Sequence, residues 1–146
     1  MKKLRIIPTI IVTIFFSLTY AYADGSNSGP DELIDKNQAI IDRAKVNDWR
    51  TLAECADALI SKRIISDEIL KWIDRSIKIK ETVYNRTVRG DFLVVQGKTT
   101  EAKKEYIKAI SLAQKTGERS KIADIQWKIL VAMGVENLND FQAGGN

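Results

Sequence analysis

The residue types that carry most enzyme chemistry are scarce in this chain. Among 146 residues there is no histidine and one cysteine, Cys55. Without histidine there is no His-dependent triad, no His-ligated metal site and no imidazole proton shuttle. A lone thiol makes neither an intramolecular disulfide nor a thiolate metal cluster. Carboxylates remain, but Asp67, Glu68, Glu101 and Glu105 fall at helix starts and on outer faces, where helix dipoles and solubility explain them without acid/base work. Gly97-Lys98-Thr99 looks like the end of a phosphate loop, yet the earlier glycine and the preceding strand of such a loop are missing. Asn85-Arg86-Thr87 is a glycosylation sequon only in a eukaryotic secretory setting, and it falls inside a helical stretch. Cys55, beside the apolar stripe of its helix, is expected to be a small buried hydrophobe, with an intermolecular disulfide open to it only in an oxidising compartment. Neither catalysis nor a metal nor a cofactor is expected.

The front of the chain reads as an address. Lys2, Lys3 and Arg5 precede an uncharged run from Ile6, and Ala21-Tyr22-Ala23 supplies a small-x-small cleavage site. This predicts a bacterial-type signal peptide over residues 1–23, cleaved after Ala23, and a periplasmic or secreted protein. A membrane anchor is the competing reading, because Ile6 to Ala23 spans 18 residues. Pro8 and four Ser/Thr residues dilute that run, and no basic stop-transfer cluster follows Asp24, so no membrane role is expected after cleavage.

Removing the leader changes the electrostatics. The net charge of +4 falls to +1, with 20 basic against 19 acidic side chains over 123 residues. Residues 24–57 carry a net of −4 and residues 58–146 a net of +5. A solvated helical surface accounts for this split, with an electrostatic docking face as the alternative, and nucleic acid is disfavoured as a partner.

The mature chain reads as helices. Residues 24–30 form a polar linker ending in Pro30, well placed for a first helical turn before Asp31 and Glu32. Leu33, Ile40, Ile41 and Ala44 continue at helical spacing, and Asp48 is a cap for the next helix. Trp49, Leu52, Ala53, Ala56, Leu59 and Ile60 then form the clearest apolar stripe. Ser66 caps a third helix whose Ile69, Ile73, Ser76 and Ile77 face inward. Helices are expected over 82–96, 99–115 and about 119–133, the last with Ile122, Gln126, Ile129, Leu130 and Met133 on one side and Gly134 at its end. Trp49, Trp72 and Trp127 are expected to pack. Residues 135–146 are expected to hold at most a short turn and then fray. No convincing strand is present, and the short connections favour antiparallel helical hairpins.

Gly90 to Ala109 carries a further pattern. Gly90 is a small site in one helix, Gly97 lies in the turn, and Ala102, Tyr106 and Ala109 follow in the next helix. Two helices cross closely only where small side chains sit at the contact, and an aromatic then fills the adjoining groove. Trp49, Ala56 and Leu59 lie 34 residues before Val83, Gly90 and Leu93, and Ile69, Ile73 and Ser76 lie 33 before Ala102, Tyr106 and Ala109. These positions resemble the tetratricopeptide (TPR)-like repeat, in one good copy and one degenerate copy. The pattern departs from the repeat at Arg86, where a large aromatic is expected, at Gln114, where a proline is expected, and at Ile69, where a small residue is expected.

The resemblance implies an all-α fold, a short solenoid of stacked hairpins over residues 31–134 with flanking capping helices. It also implies a surface that binds a protein or peptide as adaptor, scaffold or chaperone, with a homo-oligomer as an option for covering open ends. First helices line the groove in such proteins, which nominates Thr87, Asp91 and Val94 with Lys121, Ile125 and Lys128. The basic clamp by which some relatives hold a peptide carboxylate is not reproduced at Tyr84, Thr87 or Val88. The alternative reading is a compact helical bundle with a structural, inhibitory or stress role, in which one closed core replaces the stack.

Overall fold

The computed structural model describes residues 29–134. The expected signal peptide, most of the linker and the tail over 135–146 lie outside the described residues. The described part is all-helical, with no strand: α1 (Pro30–Arg43), α2 (Trp49–Ile60), α3 (Asp67–Ile79), α4 (Val83–Val95), α5 (Thr99–Thr116) and α6 (Ile122–Ala132), the last preceded by a 3-10 turn over Arg119–Lys121.

The helix boundaries follow local chemistry. Asp48 caps α2 by accepting from the Thr51 amide (3.1 Å) and hydroxyl (2.8 Å), and Ser66 caps α3 by accepting from the Ile69 amide (3.3 Å). Thr82 and Asn85 form a reciprocal capping box at the start of α4, a signal the sequence reading passed over. Gly97 takes φ +74° in the turn between α4 and α5, a left-handed conformation that suits glycine.

Each helix packs chiefly on its neighbours in sequence: α1 on α2, α2 on α3 and α4, α3 on α4, α4 on α5, and α5 on α6. The core is accordingly divided. One cluster joins Ile41, Leu52, Ala56, Leu59, Ile69, Ile73, Val88 and Phe92 across α1 to α4, and Trp72 anchors it while its indole donates to Gln38 of α1 (3.0 Å). A second joins Val83, Ala102, Tyr106, Ala109, Ala113 and Ile125 across α4 to α6. Helix α4 contributes to both.

The junction between the clusters is polar. Asn85 and Ser76 are fully buried. The Ser76 hydroxyl donates to the Trp49 carbonyl (2.7 Å), while the Asn85 amide group donates to Ser76 (3.0 Å) and to the Lys80 carbonyl (2.8 Å). Among the described residues no buried side-chain polar atom lacks a partner. Burial also puts the Asn85 side chain out of reach of a glycosyl group, and Cys55 is buried as expected, its thiol pushed above the ordinary 9.0 by desolvation and by Glu54.

Several expectations need correction. Glu105 is 8% exposed, because the Arg86 guanidinium reaches it across the contact between α4 and α5 (2.7 Å). On α6, Ile125 turns inward while Gln126 and Met133 face outward, Met133 at 61% exposure, because α6 is covered on one side only. Trp127 is likewise 38% exposed on that outer side, and Ile40 of α1 is exposed beside buried Ile41.

Candidate groove between α2, α4 and α6

The positioning of α4 rests on one close approach. A Cβ added to Gly90 would meet the Tyr106 ring at 2.4 to 2.9 Å, so the ring of α5 lies where any side chain of α4 would have to go. Tyr106 is 1% exposed, and Ala102 and Ala109, one turn to either side of it on α5, are fully buried. Small residues thus let α4 and α5 approach, and the aromatic fills the resulting gap.

From that contact the geometry runs outward to charged groups. The Tyr106 hydroxyl donates to Asp91 (2.7 Å), and Lys128 of α6 reaches both oxygens of the same carboxylate (2.8 and 2.9 Å). Tyr106 is therefore held protonated: burial raises its pKa, and the adjacent Asp91 charge and hydrogen bond raise it further. This triad ties α4, α5 and α6 together on the rim of a concavity.

Thr87, Asp91, Lys121 and Lys128 line a single groove of about 340 Å3. Its floor is Val83, Val88 and Ile125, and its far wall is Asp57 of α2 with Tyr84, whose hydroxyl donates to Asp57 (2.9 Å). Val94 lies outside it and lines a neighbouring cleft with Trp127 and Val131. The nominated side chains are not equivalent. Thr87 is turned back on its own helix, donating to the Val83 carbonyl (2.8 Å), and Lys121 is paired with Glu118 (2.6 Å). Asp91 and Lys128 are committed to each other. Asp57 and Asp124, which the sequence reading did not nominate, complete the acidic side of the groove. Their signal was present: Asp57 lies on the polar face of its helix, 34 residues before Asp91.

A second concavity of about 570 Å3 adjoins the first, with Trp49, Arg50, Lys80 and Lys121 on its walls. Arg50 (5.2 Å) and Lys80 (5.7 Å) both lie against the ring of the half-buried Trp49.

Among the described residues no group of three or more His, Cys, Asp or Glu side chains could hold a metal ion, and no helix is long and apolar enough to cross a membrane. The remaining polar contact between α4 and α5 is Arg86, which bridges Glu105 (2.7 Å) and Glu81 (2.5 Å). Burial pushes the Glu105 carboxyl up, but hydrogen bonds from Lys108 and Arg86 outweigh it and hold the group below its ordinary range. No protein-family model, no curated protein and no solved structure matches this chain.

Proposed function

We propose that this protein is a secreted or periplasmic module of the tetratricopeptide kind, built of stacked helical hairpins, that binds a peptide or protein segment in the groove formed by α2, α4 and α6 and performs no catalysis. The observation that carries the reading is the convergence of Thr87, Asp91, Lys121 and Lys128 on one groove with an apolar floor of Val83, Val88 and Ile125. Such a groove offers burial to an apolar side chain and polar rims to its flanks, the arrangement by which helical repeat surfaces take peptides. Two further facts support it. The core is split serially into two clusters that share α4, as in a stack, whereas a compact bundle has one. The close approach of Gly90 to Tyr106 supplies the steric reason for a small residue facing an aromatic at those positions.

The test is a peptide-display selection on the purified mature protein. Enriched peptides are expected to lose about tenfold or more in affinity against Thr87→Arg, which fills the groove, and to bind Lys71→Glu, an exposed change on α3, which lines no part of the groove, unchanged. No enrichment, or equal loss from both variants, overturns the groove assignment. N-terminal sequencing of the exported protein is expected to begin at Asp24, and an intact Met1 overturns the secretory part.

A further inference from the structure

The concavity of about 570 Å3 beside the groove carries positive charge that its own carboxylates do not consume. Six charged side chains stand on its walls, Arg50, Lys80 and Lys121 against Glu54, Glu81 and Glu118. Three of them are already paired. Glu118 holds Lys121 (2.6 Å), and Glu81, next to Lys80 in sequence, is paired instead with Arg86 (2.5 Å). Asp48, beside Arg50 at the start of α2, has both carboxylate oxygens on Thr51 as a helix cap. Among the described residues neither Arg50 nor Lys80 forms an ion pair. Of the lining carboxylates only Glu54 is then left to oppose these two cations, so the walls hold a surplus of positive charge.

Both cations are also held in place. The Arg50 guanidinium and the Lys80 ammonium lie 5.2 and 5.7 Å from the centre of one indole, that of Trp49. Attraction to the ring restricts two long, exposed side chains before any ligand arrives, which lowers the entropy lost on binding. An aromatic face attracts a cation without consuming a carboxylate, so the N–H donors remain for one supplied by a ligand. Two cations against Glu54 suit a singly charged carboxylate better than a dianionic phosphate, which Glu54 and Glu118 would repel.

The concavity is placed to act with the groove, because Tyr84 and Lys121 line both. An extended peptide advances about 3.3 Å per residue, so a chain with an apolar side chain on Val83, Val88 and Ile125 reaches the Trp49 wall within about four residues. We propose that the concavity around Trp49 is a second subsite of the peptide groove, where Arg50 and Lys80 hold an aspartate or glutamate side chain of the same peptide. The subsite rests on the groove being a peptide site, and it adds the class of partner: a segment in which an acidic residue lies within about four positions of an apolar one. Glu54 limits the charge that the subsite accepts.

Peptides enriched by the groove selection, acetylated and amidated so that no terminal carboxylate stands in, test this. Each is made with its acidic residue and with the matching amide in its place. Arg50→Gln and Lys80→Gln, both exposed changes, are each expected to weaken the acidic peptides about fivefold. Lys80→Gln combined with the amide peptide is expected to lose no more than either change alone. Glu54→Gln is expected to tighten the acidic peptides about threefold, a gain that fades in about 0.5 M salt. Acidic peptides that bind Arg50→Gln and Lys80→Gln at the original affinity, yet are lost on Thr87→Arg, overturn the subsite and leave the groove standing. Enriched peptides with no excess of Asp or Glu near the apolar residue do the same. No enrichment, or equal losses on Thr87→Arg and Lys71→Glu, overturns the groove and the subsite with it. A phosphoserine in place of the acidic residue that binds at least about tenfold tighter assigns the walls to phosphate and overturns the carboxylate.

Discussion

The helix pair α2 and α3 and the pair α4 and α5 share one residue spacing and solve the same packing problem with different chemistry. In the first pair the contact is filled by aliphatic side chains: Ala56 faces the interior fully buried, with Ile69, Ile73 and Leu59 at 1% exposure or less. In the second pair the corresponding positions are Gly90, Ala102, Tyr106 and Leu93, and a tyrosine ring occupies the space that a Cβ on Gly90 would need. The ring brings a hydroxyl, which needs a partner, and Asp91 and Lys128 follow from it. Arg86, which stands where the repeat pattern expects a large aromatic, brings Glu105 inside. The first pair is joined by one buried neutral hydrogen bond, from Ser76 to the Trp49 carbonyl, and the second by a network of charged side chains, so the groove's charged rim is a by-product of how the second pair packs.

The largest effect that would break this comparison is expected in the aliphatic pair. Ile73→Ala removes a fully buried side chain and should cost about 3 kcal/mol in urea unfolding, with little pH dependence. Gly90→Ala should cost about 2 kcal/mol, although the same change in an open helix is stabilising, because the new methyl enters the Tyr106 ring. In a Tyr106→Ala background the sign should reverse. An additive double-mutant cycle would remove the close approach as the cause.

Smaller effects sharpen the electrostatic side. Glu105 has a folded pKa below its ordinary 4.5, so its contribution is present above that value and is lost as pH falls through and below it. Glu105→Gln should therefore cost about 1.5 kcal/mol at neutral pH, and that cost should shrink as pH falls below 4.5, so that the stability curve of the variant is flatter on the acid side. The exposed pair of Lys71 and Glu68 in α3, 3.9 Å apart, is the counterpart on the surface of the first pair. Lys71→Ala should change stability by no more than about 0.3 kcal/mol, and a larger loss would mean that the surface of the first pair carries more than solvation.

Much of the fold was legible because its signals are local. Asp48, Ser66 and Gly134 mark helix ends through bonds to residues within one turn, Pro30 does so through its fixed φ and missing N–H, and all four stand at helix ends in the structure. The apolar stripe from Trp49 to Ile60 was legible for the same reason: a helical period fixes which side chains share a face. Glu105, Gln126, Met133 and Trp127 were misjudged because periodicity assigns a face but not what stands opposite it. Arg86 and Glu105 are 19 residues apart and meet only once α4 and α5 have packed.

The candidate groove divides along the same line. Sequence alone determined the helical character of residues 29–134, the want of histidine, and the small and aromatic positions at which two helices approach, since each depends on residue type and near-neighbour spacing. Only the tertiary structure decided that Asp91 and Lys128, 37 residues apart, neutralise each other, that Asp57 and Asp124 share their groove, and that one face of α6 is left open. Those outcomes depend on which helix lies across which, a matter of long-range packing that spacing along one helix does not encode.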